Sequence, residues 1–173
     1  VDIYWHRGMG SKLPTEAQYL QMCAFKTGTL ARLSARLAVA VSGGNEKQEA
    51  ALGKFTETIG VAFQIQDDIL NLTAESKKGQ FVKDYIGSDI SEGKRSLMVI
   101  HAMGKARDSD KKRISEILGM HTEDKKAIAE AIGIFRKYGS IEYAKKRARD
   151  LVADAWKDAD AVLKPSDAKD KLR

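Results

Sequence analysis

The stretch Val61-Ala-Phe-Gln-Ile-Gln-Asp-Asp-Ile-Leu-Asn-Leu72 decides how the rest of the chain is read. It reads as the C-terminal half of a long helix that starts near Asn45. Gln64, Asp67, Asp68 and Asn71 recur at i, i+3, i+4 and i+7, so all four project from one face. Val61, Ile65, Ile69 and Leu72 lie on the neighbouring stripe and are core candidates. Asp67 and Asp68 repel each other, and neither has a cation four residues away. An Asp-Asp pair near a helix end is in most chains a solvated acidic turn. Here Phe63, Ile65, Ile69, Leu70 and Leu72 surround the pair. A helix apolar over most of its circumference is expected to be buried on several sides. Buried carboxylates must then be paired or bound to metal. A hard divalent cation such as magnesium, which shares carboxylate oxygens with phosphates, supplies the missing charge.

Composition sets wide bounds. The chain has 173 residues, enough for one domain with a core. It is 43% hydrophobic and 31% charged, which suits a globular protein. The net charge of +6 is compatible with nucleic acid, a membrane surface or a phosphorylated substrate and selects none of them. No basic patch interleaved with aromatics supports nucleic-acid binding. Cys23 is the only cysteine, so no intramolecular disulfide forms. No apolar run has the length of a transmembrane segment and no signal peptide is visible, so the expected location is cytoplasmic. The chain opens on Val1 in apolar material, which points to a fragment.

Proline occurs only at Pro14 and Pro165, and Ala, Leu, Ile, Lys and Glu abound, which favours an all-helical chain. Arg7-Gly-Met-Gly-Ser-Lys12 lacks phosphate-loop spacing and reads as a connector. Thr15 caps a helix running to about Val41, where Ser42-Gly43-Gly44 stops it. Its apolar stripe passes through Tyr19, Met22/Cys23, Leu30, Leu33, Leu37 and Val41. Lys26 and Thr27 interrupt the stripe, and Gly28 marks a kink or a close approach. The Lys26 side chain either snorkels to solvent or faces an interior anion. Asn45 caps the second long helix, and the tight turn makes the two an antiparallel pair. That pairing places Lys26 and Thr27 at a depth comparable with Gln64, Asp67 and Asp68.

Residues 73–90 read as a loop carrying Lys77, Lys78 and Lys83, and a loop of that length is usually functional. Ser91-Glu-Gly-Lys-Arg-Ser-Leu97 opens a helix to about Lys105. Lys94 at its start opposes the helix dipole unless an anion compensates. Three more helices are expected near 109–119, 123–137 and 140–163, with Ser109 and Thr122 as caps. The last carries an apolar stripe from Ile141 to Val162, and the tail beyond Pro165 reads as frayed. His6, His101 and His121 have no metal-ligand spacing, and His101 reads as a core or boundary residue.

Phe63-Gln-Ile-Gln-Asp-Asp-Ile-Leu-Asn71 followed by Gly87-Ser-Asp-Ile-Ser-Glu-Gly-Lys-Arg-Ser-Leu97 resembles the second aspartate-rich region of the trans-isoprenyl diphosphate synthases. Asp2-Ile-Tyr-Trp5 and Lys26-Thr-Gly28 resemble family segments in the same order. The style is closest to geranylgeranyl diphosphate synthases. The resemblance implies an all-α helical bundle around a central cavity, with this chain (1–173, a single all-helical domain) as the C-terminal portion. It implies a prenyltransferase that condenses an allylic diphosphate with isopentenyl diphosphate, dependent on Mg2+, working as a homodimer. Carried over, Asp67 and Asp68 bind the metal, Lys26 and Lys94 contact the allylic diphosphate, and Thr27 and Gln64 line the site. Lys83 resembles a further diphosphate-contacting lysine, and Asp89 an acid supporting the metal waters or a lysine. Two features depart from the family pattern. Asn71 stands where a third aspartate is usual, and the first aspartate-rich motif is absent. The alternatives are a non-catalytic helical subunit of a synthase complex and a terpene cyclase of the same fold.

Overall fold

A computed structural model describes residues 13–73 and 86–172, and every regular element among them is helical. The segment Arg7–Lys12, the Asp2–Trp5 stretch, and Lys77, Lys78 and Lys83 lie outside the described residues. The chain divides into two compact units. One is drawn from the chain up to Tyr19 and from Ile65–Lys145, the other from Leu20–Gln64 and from Lys146 onward.

The first helical run has three parts: α1 (Glu16–Cys23), a π turn (Ala24–Gly28) and α2 (Thr29–Val41). Thr15 caps it as the sequence indicates. Its hydroxyl accepts from the Gln18 N–H (3.2 Å) and the Gln18 side chain accepts from the Thr15 N–H (2.9 Å). In the π turn the Thr29 N–H reaches back five residues to the Ala24 carbonyl. The chain reverses at Ser42–Gly44, where Gly43 takes a φ of +71°. Asn45 and Gln48 form a second reciprocal cap (3.0 and 3.1 Å) on α3 (Glu46–Thr73). At 1.5 Å per residue α3 is about 40 Å long.

Within the unit that holds both, the π turn and the first part of α3 touch backbone to backbone. A Cβ at Gly60 would sit 2.7 Å from Gly28 Cα, and one at Gly28 would sit 2.8 Å from the Glu57 carbonyl oxygen. Only glycine permits that approach. Farther along, the arginine stems take over the contact. Arg32 pairs with Glu57 and Arg36 with Glu49, both at 2.6 Å. The same unit contains the last turns of α8 (Ser140–Val162). Ala155 and Ala159 pack on Phe55, and Trp156 meets Phe55 edge-on with ring centroids 5.2 Å apart. Beyond Pro165 the chain is ordered into α9 (Asp167–Leu172), not frayed. Ser166 caps it, and Lys169 Nζ donates to the carbonyls of Asp160 and Leu163 (2.8 and 3.0 Å).

The apolar stripe expected along residues 19–41 is half right. Tyr19, Met22 and Cys23 are buried, but Leu30, Leu33, Leu37 and Val41 are 70%, 51%, 57% and 87% exposed. The stripe assumes an unbroken 3.6-residue period. The π turn inserts extra helix and shifts the phase of α2 relative to α1 by about 100°. The face of α2 turned to α3 is therefore the Gly28–Arg32–Arg36 line, and the leucines point the other way. The expectation that α3 is buried nearly all round also needs correction. Val61, Ile65, Ile69 and Leu72 are core, but Ile59, Phe63 and Leu70 are exposed.

The other unit gathers the end of α3 with α4 (Ser88–Ser91), α5 (Leu97–Lys105), α6 (Asp108–Met120) and α7 (Lys125–Lys137). α4 is a helical turn inside the stretch read as loop. Fully buried Leu97, Met98, Ile114, Ile117 and Phe135 form its centre. The helix bounds match the sequence reading, but the caps do not. Arg107 precedes α6 with no side-chain cap, and Asp124 caps α7 by accepting from the Lys126 N–H (3.0 Å). Thr122 instead accepts from the Asp124 N–H (3.1 Å), one step upstream. His101 is a boundary residue as read. It stacks on Tyr143 at 4.1 Å and bonds to Ser140 Oγ at 3.0 Å.

Gly60→Ala is expected to lower stability by about 1–3 kcal/mol, because backbone blocks the added methyl. Gly133→Ala is the control. Gly133 is an exposed residue inside α7 with nothing within 4 Å of its Cβ position. That change should raise stability by roughly 0.5–1 kcal/mol. Urea unfolding midpoints check both.

Candidate active site

The centre of the site is Asp68, which is 1% exposed. It stands on the last two turns of α3, three residues after Ile65 and four before Leu72, and so on the buried face. Its two carboxylate oxygens have separate partners. Oδ1 accepts from Lys94 Nζ at 2.6 Å, and Oδ2 accepts from the hydroxyl of buried Tyr19 at 2.7 Å. Lys94 also donates to Asp89 Oδ2 at 2.8 Å. The ammonium is thus shared between two carboxylates, with little access to water.

Burial acts to lower the Lys94 pKa, but the charges of Asp68 and Asp89 outweigh it and hold the ammonium well above the ordinary lysine range. Burial pushes the Asp89 carboxyl up, against the pull of Lys94. The cluster is a lysine fixed in its charged state between two acids. This also answers the dipole conflict read from the sequence. Lys94 lies three residues before α5, and two anions compensate it there.

The backbone around Lys94 is tied in turn. The Lys94 N–H donates to the Asp89 carbonyl at 2.9 Å. Asn71, one turn beyond Asp68 on the same face of α3, reaches the start of α4. Its Nδ2 donates to Ser88 Oγ (2.7 Å), its Oδ1 accepts from the Asp89 N–H (3.1 Å), and its carbonyl accepts from the Gly87 N–H (2.8 Å). Gly87 has a φ of +86°, and a Cβ there would fall 2.2 Å from Ile128 Cγ2. Glycine is required on both counts.

Asp67 differs from its neighbour. It is exposed, and it makes no ion pair or hydrogen bond among the described residues. The expectation that both acids point inward therefore holds for Asp68 alone. In the other unit, Thr27 Oγ1 donates to Gln64 Oε1 at 3.3 Å, joining two of the residues singled out in the sequence. Thr27 belongs to the π turn, as does the exposed Lys26.

These donors suit a hard cation. Among the described residues no three His, Cys, Asp or Glu side chains gather into a cage. Magnesium does not ask for one, because it is held by one or two carboxylates with waters and phosphate oxygens completing its shell. Asp67 offers an open carboxylate next to one already held in place.

Tyr19 was legible in the sequence only as an apolar core position, and its bond to Asp68 spans 49 residues of chain. The clamp by Asn71 was likewise hidden, because its partners lie across the stretch from residue 74 to 85.

The helical architecture recurs in the all-α isoprenyl synthases. The crystal structure of geranylgeranyl pyrophosphate synthetase from Pyrococcus horikoshii superposes with a TM-score of 0.82 at 35% identity, covering 96% of this chain and 50% of that one. A geranylgeranyl pyrophosphate synthase from Corynebacterium glutamicum, solved with isoprenyl diphosphate and magnesium, shares the fold at a TM-score of 0.84 and 24% identity, over 99% of this chain and 47% of that one. Residues 1–135 match the polyprenyl synthetase family model, and the chain belongs to that family. A short chain isoprenyl diphosphate synthase from Methanothermobacter thermautotrophicus is 39% identical over 158 residues, 91% of this chain and 47% of the relative. The chain thus spans about half the length of the curated relatives it matches. No helix among the described residues is long and apolar enough to cross a membrane.

Removing Lys94 leaves buried carboxylates without their cation. Lys94→Met should cost about 3–5 kcal/mol, and pairing it with Asp68→Asn should recover part of that loss. Tyr19→Phe should cost about 1–3 kcal/mol. Chemical denaturation of the single and double variants measures each.

Proposed function

We propose that this chain is part of a prenyl diphosphate synthase that joins an allylic diphosphate to isopentenyl diphosphate, giving a short all-trans product such as geranylgeranyl diphosphate. The observation that carries the reading is the buried Asp68–Lys94–Asp89 cluster beside the open carboxylate of Asp67. Membership of the polyprenyl synthetase family supports it. In this reading Asp67 and Asp68 hold magnesium. Once bound, magnesium neutralises diphosphate oxygens and makes the diphosphate a better leaving group.

The side chains divide the remaining work. Lys94, fixed in its charged form, is assigned to the diphosphate, and Lys26 is assigned to it from the family resemblance alone. Lys83 is assigned the same role from its place in the sequence. Thr27 and Gln64, hydrogen-bonded to each other, set polar oxygens beside the carbon that becomes cationic as the diphosphate departs. Charged groups fixed before the reaction stabilise developing charge without reorganising, which is the largest catalytic term in many enzymes. A dry site, as the family resemblance implies, would keep water from the allylic cation. The whole enzyme is read as a cytoplasmic homodimer in which this chain is one all-helical domain.

A second reading, a helical subunit that partners an active synthase, draws on the exposed row of Leu30, Leu33, Leu37 and Val41. Exposed apolar rows of this size mark interaction surfaces. A chain acting only as a subunit would give no transfer by itself and would co-purify with a synthase.

In the complete enzyme, Asp67→Ala and Asp68→Ala are each expected to cut turnover by about 10²–10³. Transfer of radiolabelled isopentenyl diphosphate to an allylic primer, with chromatography of the products, measures this. Full activity in both variants would refute the assignment.

A further inference from the structure

We infer that Asn71 is a positioning residue: its carboxamide clamps the Gly87–Asp89 turn and so holds Asp89 and Lys94 against Asp68, instead of ligating metal. Its relevance to a diphosphate rests on the function proposed above, but the clamp itself does not.

Asn71 contacts three consecutive residues. The Asp89 N–H donates to Oδ1 at 3.1 Å, which fixes the amide orientation and turns Nδ2 toward Ser88 Oγ at 2.7 Å. The Gly87 N–H donates to the Asn71 main chain at 2.8 Å. Both ends of the carboxamide are therefore engaged by protein. From Asp89 the path is short. Its carbonyl accepts from the Lys94 N–H (2.9 Å), its carboxylate accepts from Lys94 Nζ (2.8 Å), and Lys94 Nζ returns to Asp68 (2.6 Å). Asp68 lies three residues before Asn71 on the same helix, which closes the ring.

The chemistry explains the residue type. The position needs an acceptor for a backbone N–H and a group to meet a hydroxyl. An amide does both without charge. A carboxylate can also do both, because the Ser88 hydroxyl can turn and donate to it. It would, however, add a third negative charge beside Asp68 and Asp89, which already share one ammonium. Alanine does neither.

The test reads Lys94 directly, in the 15N-labelled full chain without metal. A buried, paired ammonium exchanges slowly with water and gives a resolved ζ-nitrogen resonance, assigned by its loss in Lys94→Met. In Asn71→Ala, with the helical circular dichroism unchanged, exchange of that ammonium should accelerate roughly tenfold or more, the factor expected for losing one or two hydrogen bonds. Asn71→Asp should restore slow exchange. Asn45→Ala removes a cap bond at the other end of the same helix and should leave the resonance unmoved. If Asn71→Ala fails to fold, Ser88→Ala, which removes one of the two bonds, should accelerate exchange in the same direction by less. The inference is overturned by an unmoved resonance in Asn71→Ala, by an equal effect of Asn45→Ala, or by no protected Lys94 resonance in the unmodified chain. The readout needs no turnover. A chain inactive in transfer would sink the functional proposal and leave this result standing.

Discussion

A carboxylate taken out of water sets the terms for one half of this molecule. Asp68 is buried, and a buried charge is tolerated only when it is matched. The match comes from residues far apart in sequence, a tyrosine 49 positions upstream and a lysine 26 positions downstream. Meeting that requirement brings the start of α1, the end of α3 and the approach to α5 to one place. The ion pair is weak evidence of net stability, since desolvation consumes much of its Coulombic gain. Its value is in fixing where a charged lysine and two acids stand before any ligand arrives.

The two aspartates of the pair divide into different conditions. Asp68 has a protein partner on each oxygen, whereas Asp67 is open to solvent. Side chains one residue apart on a helix are separated by about 100°, so one can be buried while its neighbour faces solvent. A single dipeptide thus supplies an anchored acid and an available one. Lys94, which the helix dipole would disfavour, is retained because the acids are already there.

Local signals in the sequence carried most of the fold. Reciprocal caps at Thr15–Gln18 and Asn45–Gln48, the glycine stop after Val41 and the 3.6-residue period of α8 each act within a few residues, so they can be read without the fold. Asp68 was legible as an acid in want of a cation, Lys94 as a cation in want of an anion, and Thr27 and Gln64 as residues at comparable depth, which a hydrogen bond joins. What stayed hidden was non-local or broke the period. The leucines of α2 were misplaced because a π turn leaves no signature in hydrophobic periodicity. The Tyr19 hydroxyl was read only as core and the Asn71 amide only as a departure from a third aspartate, because their partners are set by tertiary packing. Asp124 displaced Thr122 as a cap by one short step, the usual margin of error at a helix end.

The π turn carries an evolutionary consequence. Its extra residue sets the rotational phase of everything from Thr29 to Val41, while Gly28 is pinned against Gly60. Deleting one residue from Ala24–Gly28 would restore a regular helix and swing α2 about its axis by about 100°. Arg32 and Arg36 would lose their acids together, and a different row of side chains would face α3. Length in that turn is therefore constrained together with the identity of Gly28: a side chain there meets the Glu57 carbonyl, and a codon lost is a helix rotated.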